Sequence, residues 1–272
     1  MKQLFLLFLL VAVGAVAHAQ ELYVFTNPAS NIPARSLVLK TGSKTMRSYH
    51  NNNREFRVMP ELQAGLTRNL MLSGSISFSD MFFERNFRYE SARLYAKYRF
   101  YSADDVHRHF RMAAFATGSW SRNPLVYQEF NLEGDNSGIQ AGIVATQLVQ
   151  KFAASGGISF VRQLEQRDKI VFGRPFSNEA IQYNLSMGYL LFPRKYNSYK
   201  QTNFNIYCEV LGQQNTDLKA GFTDIAPALQ LIFNSSTRLN AGARFQVLGT
   251  AHRMARESLF FSIEHYFLNA LK

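Results

Sequence analysis

Charged residues recur at every second position of several segments in this 272-residue chain. Alternate residues of a β-strand lie on one face, so these charges are predicted to line a common surface. The predicted inward set is Arg57, Glu61, Arg93, Lys97, Arg99, Glu209, Arg238, Arg244 and Glu264. A ring of basic groups favours the passage of anions. Charges buried in a narrow interior form ion pairs and hydrogen bonds instead, and the two interpretations are compatible.

A second group with binding chemistry is apolar and lies in two segments predicted to be external loops. Residues 122–137 include Tyr127 and Phe130, and residues 165–178 include Phe172 and Phe176. Apolar side chains on exposed loops can mark a binding site. They would either fold inward as a cap over the interior or pack against each other, and the sequence leaves both arrangements open.

The sequence contains no catalytic or metal-binding motif. His252, Glu257 and Ser258 lie close together in sequence, without the pattern of a nucleophile, a base and an orienting group. His107 and His109 are alternate residues at a predicted strand end. Neither has a third ligand nearby, which disfavours a metal site. We expect no enzymatic activity, no cofactor and no metal.

The elements that would position these residues are long segments of strict alternation. Between 181 and 191, apolar Ile181, Leu185 and Tyr189 alternate with polar Gln182 and Ser186. Twelve such segments are predicted, at 35–47, 54–67, 69–80, 87–101, 109–121, 138–149, 152–164, 179–192, 202–214, 220–233, 237–249 and 255–267. Short and long connections take turns between them, which is typical of short periplasmic turns and longer external loops.

These segments predict an all-β fold: a single transmembrane antiparallel up-and-down β-barrel of about 12 strands, over residues 35–272. A closed barrel satisfies every backbone polar group within lipid. A secreted β-sandwich also alternates, but its strands are usually nearer six residues than twelve. An even number of strands would put both termini in the periplasm.

The N-terminus has the pattern of an export signal. An apolar run from Leu4 to Ala17 follows a basic residue and ends in Ala17-His18-Ala19, which predicts a signal peptide at residues 1–19. The run is shorter than the roughly 20 residues of a spanning helix, which disfavours a membrane anchor. Residues 20–34 contain two prolines and are predicted to be a periplasmic segment or a plug in the barrel mouth.

The formal net charge of the chain is +11. Its basic residues are spread along strands rather than clustered in one stripe, so we expect no nucleic-acid partner. The 24 phenylalanines and 13 tyrosines suit the aromatic girdles of a membrane barrel, and strands in general. The single Cys208 excludes an internal disulfide.

Several short motifs resemble those of outer-membrane β-barrel proteins from Bacteroidota-type bacteria. They are the start Glu21-Leu22-Tyr23-Val24-Phe25-Thr26 with Asn27-Pro28-Ala29-Ser30, and two Pro-x-Leu-Gln hairpins, Pro60-Glu61-Leu62-Gln63 and Pro227-Ala228-Leu229-Gln230. The hairpin also resembles barrels described as transporters of aromatic or hydrophobic compounds. The last strand, ending at Phe267, resembles the signal read by the outer-membrane insertion machinery, although Leu268 to Lys272 follow it. The resemblance implies residence in the outer membrane of a Gram-negative bacterium and carries over no catalytic residue.

Together these features predict a monomeric outer-membrane barrel that passes a small solute through a basic, partly constricted lumen. Arg93, Lys97, Arg99 and Arg244 are the charges expected to set its selectivity. The alternative is a non-conducting structural or adhesive barrel that binds a partner through its external loops. Outer-membrane lipid, the insertion machinery and a small solute are the expected partners.

Overall fold

The computed structural model is a closed β-barrel of twelve strands. It describes residues 23–47, 53–81, 86–106, 108–164, 175–193 and 201–271. The predicted signal peptide, His107 and Phe172 lie outside these ranges. The strands are β1 (Ser36–Arg47), β2 (Arg54–Gly65), β3 (Leu70–Ser79), β4 (Arg88–Asp105), β5 (Arg108–Ser121), β6 (Gly138–Val149), β7 (Phe152–Gln163), β8 (Glu179–Phe192), β9 (Asn203–Asn215), β10 (Gly221–Phe233), β11 (Thr237–Gly249) and β12 (Glu257–Phe267). Within the described ranges, no helix is long and apolar enough to cross a membrane.

The predicted up-and-down topology is confirmed. Each strand pairs antiparallel with the next one, and β12 pairs with β1 to close the barrel. β4 is longer than the predicted segment 87–101, since it continues to Asp105, and β5 begins at Arg108. Asp104 pairs with His109 in the ladder, and its Oδ1 lies 2.9 Å from Nη2 of Arg111 on the facing strand.

Alternation along the strands separates an apolar outer surface from a polar interior. On β8, Ile181, Leu185 and Tyr189 are exposed on the outside, whereas Ser186 points inward and is fully buried. On β5 the apolar residues Met112 and Phe115 fall on opposite faces, so alternation alone does not orient this strand. The structure puts Phe115 inside the barrel, where its ring centroid lies 5.9 Å from that of Tyr95.

Two prolines interrupt the ladder on one side only. Pro60 pairs with Thr41 on β1, and Pro227 pairs with Cys208 on β9. On the other side, pairing with β3 and β11 skips each proline and resumes in the same register. The ladder is therefore interrupted at both prolines without a bulge there, because the missing N–H removes a donor without inserting a residue.

Two stretches outside the strands occupy the interior of the barrel. The first comprises residues 23–34, here called the N-terminal segment, which leads into β1. The second comprises residues 122–137, here called the inner loop, which joins β5 to β6 at the opposite end. Apolar residues of both stretches are buried against inward side chains of the strands.

Candidate functional site: the barrel lumen

One carboxylate on the barrel wall binds the start of the N-terminal segment. Glu209, on β9, is fully buried. Its Oε1 accepts hydrogen bonds from the backbone N–H groups of Val24 at 3.0 Å and Phe25 at 2.9 Å. Its Oε2 accepts from the hydroxyls of Thr26 at 2.6 Å and Ser186 at 3.0 Å. Both oxygens of the buried carboxyl group therefore have hydrogen-bond donors, as burial of a polar group requires.

A lysine on the opposite part of the wall binds the next turn of the segment. Nζ of the fully buried Lys97 donates to the carbonyl oxygens of Pro28 and Ser30, each at 2.7 Å. The N–H of Ala29 donates to Oγ1 of Thr146 at 2.9 Å, and Arg111 Nη1 donates to Oγ of Ser30 at 3.2 Å. Lys97 therefore holds peptide carbonyls inside the lumen.

Arg57 connects the wall to the inner loop. This fully buried guanidinium donates from Nε to Glu90 Oε2 at 2.7 Å and from Nη2 to Asp135 Oδ1 at 2.5 Å. Asn123 adds a bond from Nδ2 to Glu90 Oε1 at 2.9 Å. Burial raises the pKa of the Asp135 carboxyl above its ordinary value, although Arg57 opposes this shift. The cluster fastens both ends of the inner loop to β2 and β4.

Glu129 lies in the middle of the inner loop and binds two arginines from other parts of the barrel. Arg253 donates from Nε to Glu129 Oε2 and from Nη1 to Asp224 Oδ1, each at 2.8 Å, and lies 3.7 Å over the Phe222 ring. Arg244 bonds Asp224 and reaches Glu129 Oε1 at 3.2 Å. Burial would raise the pKa of Glu129, but the two arginines lower it to about 2. Glu129 is thus ionised over the whole physiological range.

A third ion-pair group involves Arg93. Its Nη1 donates to Oε1 of Glu133, in the inner loop, at 3.0 Å, and its Nη2 lies 3.7 Å from Oε1 of Glu61 on β2. Both predicted residues, Arg93 and Glu61, therefore face the lumen, where they share one cluster with the inner loop.

The remaining predicted charges lie elsewhere on the wall. Glu264 is 3.5 Å from Nζ of Lys40 and 3.8 Å from Nη1 of Arg238. Arg99 lies at the short-turn end of the barrel, where its Nη2 donates to the carbonyl oxygen of Arg68 at 2.8 Å. Arg99 therefore contacts a turn rather than the lumen clusters.

Five acidic residues that balance the basic charge of the lumen were not among the predicted residues. Glu90 and Asp224 are inward strand residues. The alternation of β10 would have identified Asp224 as inward. Glu129, Glu133 and Asp135 belong to the inner loop. They were missed because residues 122–137 were assigned to an external loop, and alternation gives no information on where a loop folds.

The aromatic loop residues are also placed differently from the expectation of an exposed site. Tyr127 and Phe130 are 7% and 5% exposed. The Phe130 N–H donates to Oε1 of Gln213 at 2.9 Å, and its carbonyl accepts from Gln182 Nε2 at 2.8 Å. Phe176 is half-buried in the second loop. The inner loop thus folds inward over the lumen, where strand side chains satisfy part of its backbone.

His252, considered above for catalysis, packs its ring 5.4 Å from that of Tyr127, and its N–H donates to Gln128 Oε1 at 2.9 Å. These contacts place it in the packing of the inner loop. Across the described residues, no group of three or more His, Cys, Asp or Glu side chains is arranged to hold a metal ion.

A cavity of about 120 Å³ remains between the N-terminal segment and the inner loop. Its charged lining comprises Lys40, Lys44, Arg93, Arg244, Glu61 and Glu133, and its apolar lining includes Phe25, Met59 and Phe260. Lys40 and Lys44 were not among the predicted residues. Their alternation with Gly42 on β1 is the signal that would have identified them as inward.

Solved structures with a similar fold are outer-membrane barrels. One is an outer membrane channel from Pseudomonas putida F1, with 13% identity over 90% of this chain and 100% of that chain, at a TM-score of 0.59. Another is the KdgM porin, with 9% identity over 85% of this chain and 99% of that chain, at a TM-score of 0.52. No protein-family model matches the chain, and no curated protein matches it in sequence.

Proposed function

We propose that this chain is an outer-membrane barrel that conducts a small solute passively and is held constricted by the N-terminal segment and the inner loop. The observation that carries the proposal is a closed barrel with an apolar outer surface and a charged interior that retains a cavity. The similar folds named a porin and an outer membrane channel support the same function.

Location follows from the outer surface. Large apolar side chains are exposed on every second residue of the strands, a surface that is stable only against lipid. We infer residence in the outer membrane of a Gram-negative bacterium, after export by the predicted signal peptide, as a monomer. An origin in Bacteroidota and transport of aromatic compounds stay predictions from the short motifs.

The two interpretations of the lumen charges describe two states of this channel. With the inner loop in place, its carboxylates neutralise Arg57, Arg93, Arg244 and Arg253. If the loop is displaced, these four cations lose acidic partners and line an opening that favours anions. The loop therefore controls both the width and the charge of the passage.

Ion conductance in a planar bilayer under a salt gradient tests this function. We expect small or rare current steps for the unmodified barrel. The triple variant Glu129→Gln, Glu133→Gln, Asp135→Asn should give larger steps with an anion-leaning reversal potential, because the arginines no longer hold the loop. A matched variant, Asp105→Asn, Glu179→Gln, Glu257→Gln, removes three acids outside these clusters and should behave like the unmodified protein.

A non-conducting structural or adhesive barrel is the second candidate. It is favoured by the occupation of the lumen from both ends. If the folded triple variant passes no current, the channel proposal is wrong and this candidate takes its place.

A further inference from the structure

The cavity between the N-terminal segment and the inner loop has the size and chemistry of a ligand site. A buried water needs roughly 10–15 Å³ by a comparable measure. The volume of about 120 Å³ is therefore ample for a small organic molecule. Its wall combines basic groups and the carboxylates of Glu61 and Glu133 with aromatic and thioether groups.

Among the described residues, one of the cations that line the cavity has no direct contact with an acid. Arg93 and Arg244 are bonded to Glu133 and Glu129, and Lys40 lies 3.5 Å from Glu264. Lys44 points inward from β1 and lines the cavity, but its Nζ makes neither a hydrogen bond nor an ion pair within the described ranges. Glu129, Glu133 and Asp135 act on it only as more distant charges. A buried ammonium is most stable with a hydrogen-bonded partner, which an anion in the cavity would supply.

The apolar side of the cavity is formed by side chains that lie next to this lysine. Phe260 is the ladder partner of Lys44, and its ring centroid lies 5.5 Å from that of Phe25 in the N-terminal segment. Gly42 also lines the cavity, next to Met59 and Phe260. A Cβ built on it would already touch Met59 Cε and Phe260 Cε2, each at 3.4 Å, and Phe260 Cζ at 3.6 Å. A larger side chain at position 42 would therefore take up space on the apolar side of the cavity.

We propose that this cavity binds a small carboxylate with a short apolar body, the carboxylate at Lys44 and the body between Phe25, Met59 and Phe260. The inference deepens the channel function proposed above and identifies the class of solute. Simple inorganic anions would use only the charged half of the site. Neutral apolar molecules would leave the Lys44 ammonium without a direct partner.

Calorimetric titration of the full-length folded barrel in detergent tests the site, with benzoate as the probe. Benzoate should bind at least ten times more tightly than acetate or benzyl alcohol, each of which lacks one half of the recognition. Lys44→Met should weaken benzoate binding at least tenfold. Lys151→Met, which removes a lysine bonded to a turn carbonyl outside the cavity, should leave it unchanged.

A second variant tests the apolar half. Gly42→Leu fills the space over Phe260 while keeping Lys44, so it should abolish benzoate binding in a barrel that still shows the heat-shifted band of a folded protein. Absence of benzoate binding, equal binding of acetate, or undiminished binding in Lys44→Met would each overturn the proposal. Because the titration needs no current, those results would leave the conductance of the triple variant, and so the channel function, to be judged separately.

Discussion

At the scale of single residues, the lumen charges act mainly as attachment points. Lys97 and Glu209 bind backbone groups of the N-terminal segment, and Arg57 binds a carboxylate of the inner loop. Breaking a buried ion pair by removing one partner is far more destabilising than breaking an exposed one. The strength of each attachment should therefore follow its burial.

Arg57→Met should lower the free energy of unfolding by about 3–5 kcal/mol, because it leaves two buried carboxylates without their cation. Arg162→Met removes an arginine that is 64% exposed and 3.7 Å from Glu179, and should cost about 0–1 kcal/mol. Chemical denaturation of both variants in the same detergent measures the difference. Equal losses would contradict the assignment of Arg57 as a buried anchor.

The lowered pKa of Glu129 predicts an acid-sensitive inner loop. The pKa is about 2 in the folded loop and ordinarily 4.5, so the stabilisation is complete above pH 4.5 and is lost as the pH falls towards 2. Conductance should therefore rise over this interval in the unmodified protein. Glu129→Gln should conduct more at neutral pH and show a smaller rise, and an identical pH profile in both proteins would refute the role of Glu129.

At the scale of elements, the strands were predictable and the pieces between them were not. Twelve strands follow from alternation because inward and outward residues of a barrel differ in polarity at every step. The same rule oriented Arg93, Glu209 and Glu264 correctly. It carries no information on the N-terminal segment or the inner loop, whose paths depend on contacts such as Asp135 with Arg57 across the barrel. Lumen residues were therefore identified more completely than their partners.

Thiol labelling tests the anchoring of the N-terminal segment. In a Cys208→Ser background, Ser30→Cys should react slowly, because residue 30 is only 5% exposed. Adding Lys97→Met removes two charge-assisted hydrogen bonds, which should speed labelling at least about tenfold. Adding Lys151→Met instead removes a similar lysine–carbonyl bond at a turn and should have no effect. Equal rates in all three proteins would show that Lys97 does not hold the segment.

At the scale of the whole molecule, the barrel resembles a membrane protein on the outside and a packed globular interior on the inside. Apolar residues such as Leu94 and Trp120, each 73% exposed, cover the outer surface. Inside, buried charges meet in clusters that join the inner loop to the strands. Stability should therefore be sensitive to charge on both surfaces, but for different reasons.

Leu94→Arg tests the outer surface. A charge at the middle of a lipid-facing strand costs about 2–4 kcal/mol in a bilayer, and one near the interface costs about 0–1 kcal/mol. Val106 is 79% exposed at the β4–β5 turn, so Val106→Arg is the matched control. Folding titrations in liposomes should show the larger loss for Leu94→Arg, and similar losses for both would argue against a membrane-spanning strand.

The wall holds the N-terminal segment largely through main-chain atoms, which affects how far the sequence of the segment can vary. Glu209 contacts the main-chain amides of Val24 and Phe25, and Lys97 contacts the main-chain oxygens of Pro28 and Ser30. Every amino acid offers that oxygen, and all but proline offer the amide. The hydrogen bonds to Lys97 should thus survive replacement of Pro28 or Ser30 by any residue that fits the same buried space, while replacement of Lys97 or Glu209 should remove the bonds that each makes. The side chains that determine this attachment belong mainly to the barrel wall and not to the N-terminal segment.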